Sequence, residues 1–316
     1  MILVTGAAGF IGFHLTKALL DLGHKVVGVD NMNDYYDVSL KKERLSILKK
    51  NNKFTFHKLD ICNFEKLKKI FDGIEIVIHL AAQAGVRYSI ENPHAYIKSN
   101  IEGHLNILEC CRHSKKLKKL IYASSSSVYG GNEKIPFSVD DRVDSPVSLY
   151  AATKRADELM SESYNHLYKI PMIGLRFFTV YGEYGRPDMA PFKFTNSIMN
   201  GEYIEVFNDG NMKRDFTYVG DIVDGILGAM KFELGSAHNI YNLGNNEPAE
   251  LMKFISVLEQ EIGRSAKIKF KPMQEGDVIV TYADIAKSTK DLGFKPKTSL
   301  EDGIAKLVKW HKINQQ

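Results

Sequence analysis

Short apolar runs rich in Val and Ile recur along the first half of the chain. Each is followed by a stretch whose apolar residues return every three or four positions. The runs at 2–5, 25–30, 55–59, 74–80, 119–123 and 172–177 predict strands. The periodic stretches at 10–21, 67–71, 97–113 and 150–167 predict helices. The run at 74–80 is apolar almost throughout, the pattern of a strand covered on both faces. Such alternation predicts an α/β fold, a doubly wound Rossmann parallel sheet with helices on both sides.

Beyond Phe178 the rhythm breaks. Positions 181–189 are rich in Gly, Pro and charge, although 251–263 and 303–311 still read as helices. A smaller C-terminal substrate lobe is expected there, with 215–231 and a strand at 238–243 returning to the first sheet. The expected division is 1–178 plus 213–246 for the nucleotide-binding domain and 179–212 plus 247–316 for the lobe. No internal repeat or low-complexity segment interrupts it.

Composition narrows the class. The 316 residues are 44% hydrophobic and 25% charged, which excludes a disordered or fibrous chain. The 42 basic and 38 acidic residues leave a net charge of +4, too small an excess to suggest a nucleic-acid partner. The Lys clusters, including Lys41-Lys42 and Lys118-Lys119, read as solvated helix faces. Cys62, Cys110 and Cys111 show no metal-ligand spacing and fit a reducing compartment. No apolar run reaches the roughly 18 residues of a membrane helix, and the start of the chain reads as a strand rather than a signal sequence. A cytoplasmic protein with no metal and no membrane partner is expected.

The first strand runs into Gly6-Ala7-Ala8-Gly9-Phe10-Ile11-Gly12 and then a helix. Glycines at this spacing let backbone approach a pyrophosphate, whose charge meets the helix N-terminal amides. The second strand ends at Asp30, followed by Asn31. A carboxylate there accepts both ribose hydroxyls of NAD and repels the 2′-phosphate of NADP. Asp60 and Ile61 end the third strand, where Asp60 either meets the adenine or caps a local turn. Ala81 and Ala82 follow the fourth strand with side chains small enough for backbone to reach the same cofactor.

Tyr150-Ala151-Ala152-Thr153-Lys154 sets a phenol and an ammonium on one helix face. The ammonium favours the phenolate, so Tyr150 suits proton exchange. Just before it, Ser124-Ser125-Ser126-Ser127 ends a strand, and Ser125 can bond the oxygen that Tyr150 deprotonates. With a nicotinamide, these are the parts for hydride transfer at a carbinol carbon. His14, His79 and His104 have no ligand spacing and read as structural. Cys110 and Cys111 read as packing.

Taken in order, Gly6-x-x-Gly9-x-x-Gly12, Ser125 and Tyr150-x-x-x-Lys154 resemble the extended short-chain dehydrogenase/reductase family over essentially the whole chain. Within it the chain most resembles the UDP-glucuronate 4-epimerases. That likeness is carried by residues 30–36, 175–182, 185–190, 213–219 and Gly276-Asp277. The resemblance implies NAD, a UDP-sugar substrate, surface polysaccharide biosynthesis, and a homodimer joined by the helices at 97–113 and 150–167 in a four-helix bundle. Relatives that dehydrate or decarboxylate carry an acid next to the catalytic hydroxyl, where this chain has Ser126 and Ser127. Thr179 stands where the UDP-glucose epimerases have Asn. These hydroxyls suit a substrate carboxylate.

The expected reaction is therefore conversion of UDP-glucuronate to UDP-galacturonate through a 4-keto intermediate, with Tyr150 as acid and base. Arg186 and Arg214 are candidates for phosphate or sugar contact, Asp277 for the uridine ribose and Phe207 for the uracil. Surface ion pairs and core packing are the plainer readings of these four. The rival reactions are 4-epimerisation of UDP-glucose or UDP-N-acetylglucosamine, net NAD-dependent oxidation of a sugar nucleotide, and dinucleotide sensing without catalysis.

Overall fold

The structure is a computed structural model that describes residues 1–274 and 276–314. Seven strands form one parallel sheet: β1 Ile2–Thr5, β2 Val26–Asp30, β3 Phe54–Lys58, β4 Ile76–His79, β5 Lys119–Ser125, β6 Met172–Phe177 and β7 His238–Leu243. Their order is β7-β6-β5-β4-β1-β2-β3. Every residue of β1, β2 and β6 is buried, which is why these strands are apolar over most of their length. One apolar cluster fills the face under helix α1, Phe10–Asp21, and another fills the opposite face. The strand order reverses at β1, so β1 and β4 diverge into a crevice at their carboxyl ends.

The predicted strands are present with ends moved by one or two residues. The predicted helix at 97–113 is divided into a π-helical turn, Ile97–Glu102, and an α-helix, Gly103–His113. The extra residue in the π turn aims Asn100 inward. Helix α2, Leu149–Tyr168, starts at Ser148, whose hydroxyl accepts from the Ala151 amide at 3.1 Å, and so fixes the rotation of the helix carrying Tyr150.

The expected return of 215–231 to the sheet is only partly what is seen. Phe216–Tyr218 pairs instead with Thr179–Tyr181 in a separate two-stranded sheet. The helix Val219–Lys231 that follows packs on the main sheet, and β7 joins the sheet beside β6. Asp215 sits at this crossing with no exposed surface. Its carboxylate accepts from the amides of Asn245, Asn246 and Ala283 and from the Thr217 hydroxyl. A third apolar cluster lies beyond it, where Phe216 and Phe254 stack at 4.4 Å among Ile198, Leu258 and Ile304. Leu292 and Phe294 pack back into the sheet's core.

Two lysines assigned to solvated faces are buried. Lys119 donates to the carbonyls of Ala229, Met230 and Phe232, where it closes the end of the Val219–Lys231 helix. Lys41 lies on Val38–Leu48, a helix that the sequence reading touches only through the Lys41-Lys42 pair and gives no bounds. Its buried face carries Lys41 and Arg44 among the leucines, so the apolar period is broken. The Arg44 guanidinium, with no exposed surface, donates to Ala8 O at 2.9 Å, Tyr184 O at 2.6 Å, Gly185 O at 3.2 Å and Tyr36 Oη at 2.9 Å. Arg44→Met keeps the bulk but strips three buried carbonyls of their donor, and should lower unfolding free energy by about 3 kcal/mol. Lys42→Met, one residue from Lys41 but exposed, should stay within about 0.5 kcal/mol in the same urea titration.

Candidate active site

All the strand ends that the sequence singled out open into one cavity of about 1260 Å³. This exceeds the ~300–1,000 Å³ usual for one small ligand and leaves room for a dinucleotide beside a second molecule. The nucleotide end is built on β1. Gly6 has φ +71°, and a Cβ on Gly12 would lie 2.0 Å from the Gly6 carbonyl oxygen. Only glycine allows the turn to fold back on itself here. Helix α1 then begins at Phe10 with no side-chain cap and no acid in its first turn. Its amides thus face the cavity with nothing to compete against an anion, and the residues present fit a pyrophosphate.

Asp30 ends β2 with its carboxylate tied to two backbone amides, Ala8 at 3.1 Å and Met32 at 2.8 Å. Each carboxylate oxygen has a second lone pair, so acceptor capacity remains for ribose hydroxyls. Asp60 makes the local turn bond that is one of its two readings, and its place in the cavity lining is compatible with the other. It lines the cavity, and its Oδ1 accepts from the Cys62 amide at 2.9 Å. Burial raises its carboxyl, but the bonds from Cys62 and Asn31 outweigh that and hold it below the ordinary value. Phe10, Ile11, Asn31, Ile61, Ala81 and Ala82 complete this wall.

The loop after β4 is fixed by a residue the sequence reading missed. Asn100, 1% exposed, accepts from the Gln83 amide at 2.8 Å and donates to Gln83 O at 3.1 Å and to Thr153 Oγ1 at 2.9 Å. One amide therefore ties the loop, the π turn and helix α2 together. At the foot of the loop, Thr5 Oγ1 bonds His79 Nδ1 at 2.7 Å and accepts from the Ala81 amide at 3.1 Å. His104 bonds Ser161 Oγ at 2.9 Å. Burial pushes His79 down to about 3 and His104 well below its ordinary value, so both rings are neutral.

At the centre, Ser125, Tyr150 and Lys154 line the same cavity. Ser125 caps the turn Ser126–Tyr129, with its Oγ accepting from the Ser127 amide and donating to Ser127 Oγ, both at 3.1 Å. Lys154, 3% exposed, donates to Ala123 O at 3.0 Å and to Asp157 Oδ2 at 3.1 Å. The Ser124 hydroxyl donates to Glu158 Oε1 at 2.7 Å. Glu158 also receives two parallel bonds from Arg176 at 2.8 and 2.9 Å and one from Arg155 at 3.0 Å. Burial alone would raise Glu158, but these donors hold it below the ordinary carboxylate value.

The far wall carries Ser126, Ser127, Thr179, Arg186, Phe207, Arg214 and Asp277. Arg186 forks onto Asp188 at 3.0 and 2.5 Å. Arg214 Nη2 bonds Asp277 Oδ1 at 2.7 Å, so two residues assigned separate duties are paired with each other. Phe207 is half-buried, and the Arg87 guanidinium stands 4.9 Å from its ring centre. Lys41 also reaches this cavity, with Nζ bonded to Asn33 O at 2.8 Å and Oδ1 at 2.6 Å. Burial lowers its ammonium, with Asp30 opposing. In the sequence Lys41 reads only as part of a solvated lysine pair, and Arg87 is not singled out.

No described helix is long and apolar enough to cross a membrane, and no described group of His, Cys, Asp and Glu is arranged to hold a metal. Similarity to known proteins extends over the whole chain. It is 57% identical to an uncharacterized protein of Methanocaldococcus jannaschii over 99% of this chain and 97% of that one. It is 46% identical to UDP-glucuronate 4-epimerase 2 of Arabidopsis thaliana, over 98% of this chain and 75% of the relative. The crystal structure of the Bacillus cereus UDP-glucuronic acid 4-epimerase, in complex with UDP-glucuronic acid and NAD, superposes with a TM-score of 0.94 at 37% identity, covering 99% of both chains. Residues 2–244 match the model of one family. With its glycine turn, Ser125 and the Tyr150–Lys154 pair gathered in one cleft, the chain belongs to the NAD dependent epimerase/dehydratase family.

Proposed function

We propose that the protein interconverts UDP-glucuronate and UDP-galacturonate at C4. The observation that carries this is the strand end at Ser125, where Ser126 and Ser127 follow with hydroxyls in place of a carboxylate and Thr179 lines the same cavity. A carboxylate there would repel a uronate and would supply the acid and base of an elimination. Similarity to the UDP-glucuronate 4-epimerases supports the same substrate.

Gly6, Gly9, Gly12 and the start of α1 hold the pyrophosphate of NAD, Asp30 the adenosine ribose, and Asn31, Asp60 and Ile61 the adenine side. NAD, when bound, supplies the acceptor and then the donor of a hydride. Tyr150 takes the proton from the C4 hydroxyl, and Ser125 donates to the oxygen as it becomes a ketone. Lys154 stabilises the phenolate by its charge. The 4-keto sugar turns over in the cavity, and Tyr150 returns the proton to the oxygen on the other face. Hydrogen bonds from Ser126, Ser127 and Thr179 hold the β-keto acid's carboxylate away from the geometry in which it would lose CO₂. Arg186 and Arg214 meet the diphosphate and sugar, Asp277 the uridine ribose, and Phe207 the uracil.

The reading divides the chain as the sequence suggested, 1–178 plus 213–246 around the dinucleotide and 179–212 plus 247–316 around the UDP-sugar. It places the enzyme in the cytoplasm, supplying UDP-galacturonate for surface polysaccharide. It also includes a homodimer through a four-helix bundle, which is supported by exposed Ile97, Leu105, Leu159 and Leu167 on the helices concerned. Light scattering should give twice the chain mass, and Leu159→Glu should give the monomer; a wild-type monomer would remove the bundle.

Purified protein given UDP-glucuronate without added NAD, then with it, should yield UDP-galacturonate on a column that separates the C4 epimers. Conversion of UDP-glucose or UDP-N-acetylglucosamine in its place would overturn the carboxylate argument. Steady release of NADH would indicate a dehydrogenase. Tyr150→Phe should lower kcat by about 10³-fold with NAD still bound. Near-normal turnover in that variant would remove Tyr150 from the chemistry.

A further inference from the structure

Beside Lys154 lies a carboxylate that the reaction above does not use. Asp157 is one turn along the same helix, 1% exposed, with Oδ2 3.1 Å from the Lys154 ammonium. Its other oxygen, Oδ1, is buried with no hydrogen-bond partner. The adjacent Glu158 cannot take over its part, because Ser124, Arg155 and Arg176 already occupy both of its oxygens.

The elements packed around Asp157 bring few groups that answer its charge. Helix Gly103–His113 contributes His104 and β5 contributes Tyr122, while His79 on β4 lies within the field of Lys154. Both imidazoles are neutral, and burial keeps the Tyr122 phenol protonated. Arg176 on β6 is held by Glu158. Lys154 is the cation within hydrogen-bonding distance of Asp157. For stability alone this is a poor arrangement, since half of the carboxylate is desolvated without compensation. Burial pushes its carboxyl up to about 6 against the pull of Lys154. A residue that costs stability and touches the lysine of the Tyr150–Lys154 pair is best explained by what it does to that lysine.

We infer that Asp157 is a positioning residue that pins the Lys154 ammonium against the Ala123 carbonyl and, by its own charge, sets the field Lys154 exerts on the Tyr150 phenol. The inference rests on Tyr150 being the acid and base of the proposed reaction. Its sign follows from the charges. The Asp157 carboxylate cancels part of the Lys154 cation, so removing that charge while keeping an acceptor oxygen leaves the full cation acting on Tyr150. The phenolate then forms at lower pH.

Asp157→Asn makes that change. Tyrosinate absorbance of the NAD-loaded protein, titrated with pH against Tyr150→Phe as blank, should show its midpoint lowered by about one pH unit relative to wild type. The acid limb of kcat for UDP-glucuronate should move down with it, while KM stays within about twofold. Midpoints that coincide in the two proteins would overturn the inference, whatever happens to kcat or Tm. If the amide variant does not fold, Asp157→Ser, smaller and also neutral, is read in the same way. Failure of both to fold would make Asp157 a structural ion-pair partner and equally overturn it. Wild-type protein that does not convert UDP-glucuronate would defeat the proposed function instead, and the absorbance titration would still report on Asp157.

Discussion

One buried carboxylate sets the geometry on which the site depends. Glu158 joins helix α2 to β5 through Ser124 and to β6 through the fork of Arg176. Ser125 is the next residue along β5, and Tyr150 and Lys154 lie on α2 within two to three turns of Glu158. The spacing of the three candidate catalytic groups is thus fixed by a contact behind them rather than by contacts among themselves. A buried pair of this kind contributes little to net stability, but losing one partner is expensive, so it enforces a single docking of the helix on the sheet. Arg176 also stands over the Tyr129 ring at 4.8 Å, and Tyr129 bonds Asn242 on β7 at 2.7 Å. The constraint therefore continues to the edge of the sheet.

The opposite side of the cavity is organised differently. Its arginines are already paired, Arg186 with Asp188 and Arg214 with Asp277, and each guanidinium is oriented before any ligand arrives. Burial lowers the Arg214 guanidinium while Asp277 opposes it. An anionic ligand entering here meets cations held in place by acids, which reduces the attraction for any one anion but fixes its direction. Preorganised charge of this sort favours a ligand with matching geometry over one with charge alone.

Much of this was legible in the sequence because it lies on strand ends. The strands betray themselves by apolar runs, and in a doubly wound sheet whatever follows a strand faces the cleft. Gly6, Asp30, Ala81 and Ser125 were found by that rule and Thr179 by family resemblance, and all line one cavity. The misses share a different cause. Lys41, Arg44 and Lys119 are cations buried by bonding to backbone carbonyls, and a sequence does not display which carbonyls will lie near. The same residues hid the helix Val38–Leu48, whose inward face is partly charged. Asn100 was invisible because its importance comes from a π turn that rotates it inward, and helical periodicity alone assumes an unbroken spiral.

The Glu158–Arg176 contact also bears on how the chain acquires its shape during synthesis. The nucleotide end closes on itself within residues 1–81, through contacts such as Gly6 against the Ala81 backbone and Ala8 with Asp30. Helix α2 leaves the ribosome before β6, so Glu158 has Ser124 and Arg155 at hand but lacks the Arg176 fork until that strand follows. Docking the helix earlier would bury this carboxylate without the two parallel bonds of Arg176. The half of the cleft built on β1 can thus close on its own contacts, while the half that carries Tyr150 lacks its full anchorage until β6 is made. A chain interrupted before Arg176 would carry Ser125, Tyr150 and Lys154 without the fork that fixes their helix on the sheet.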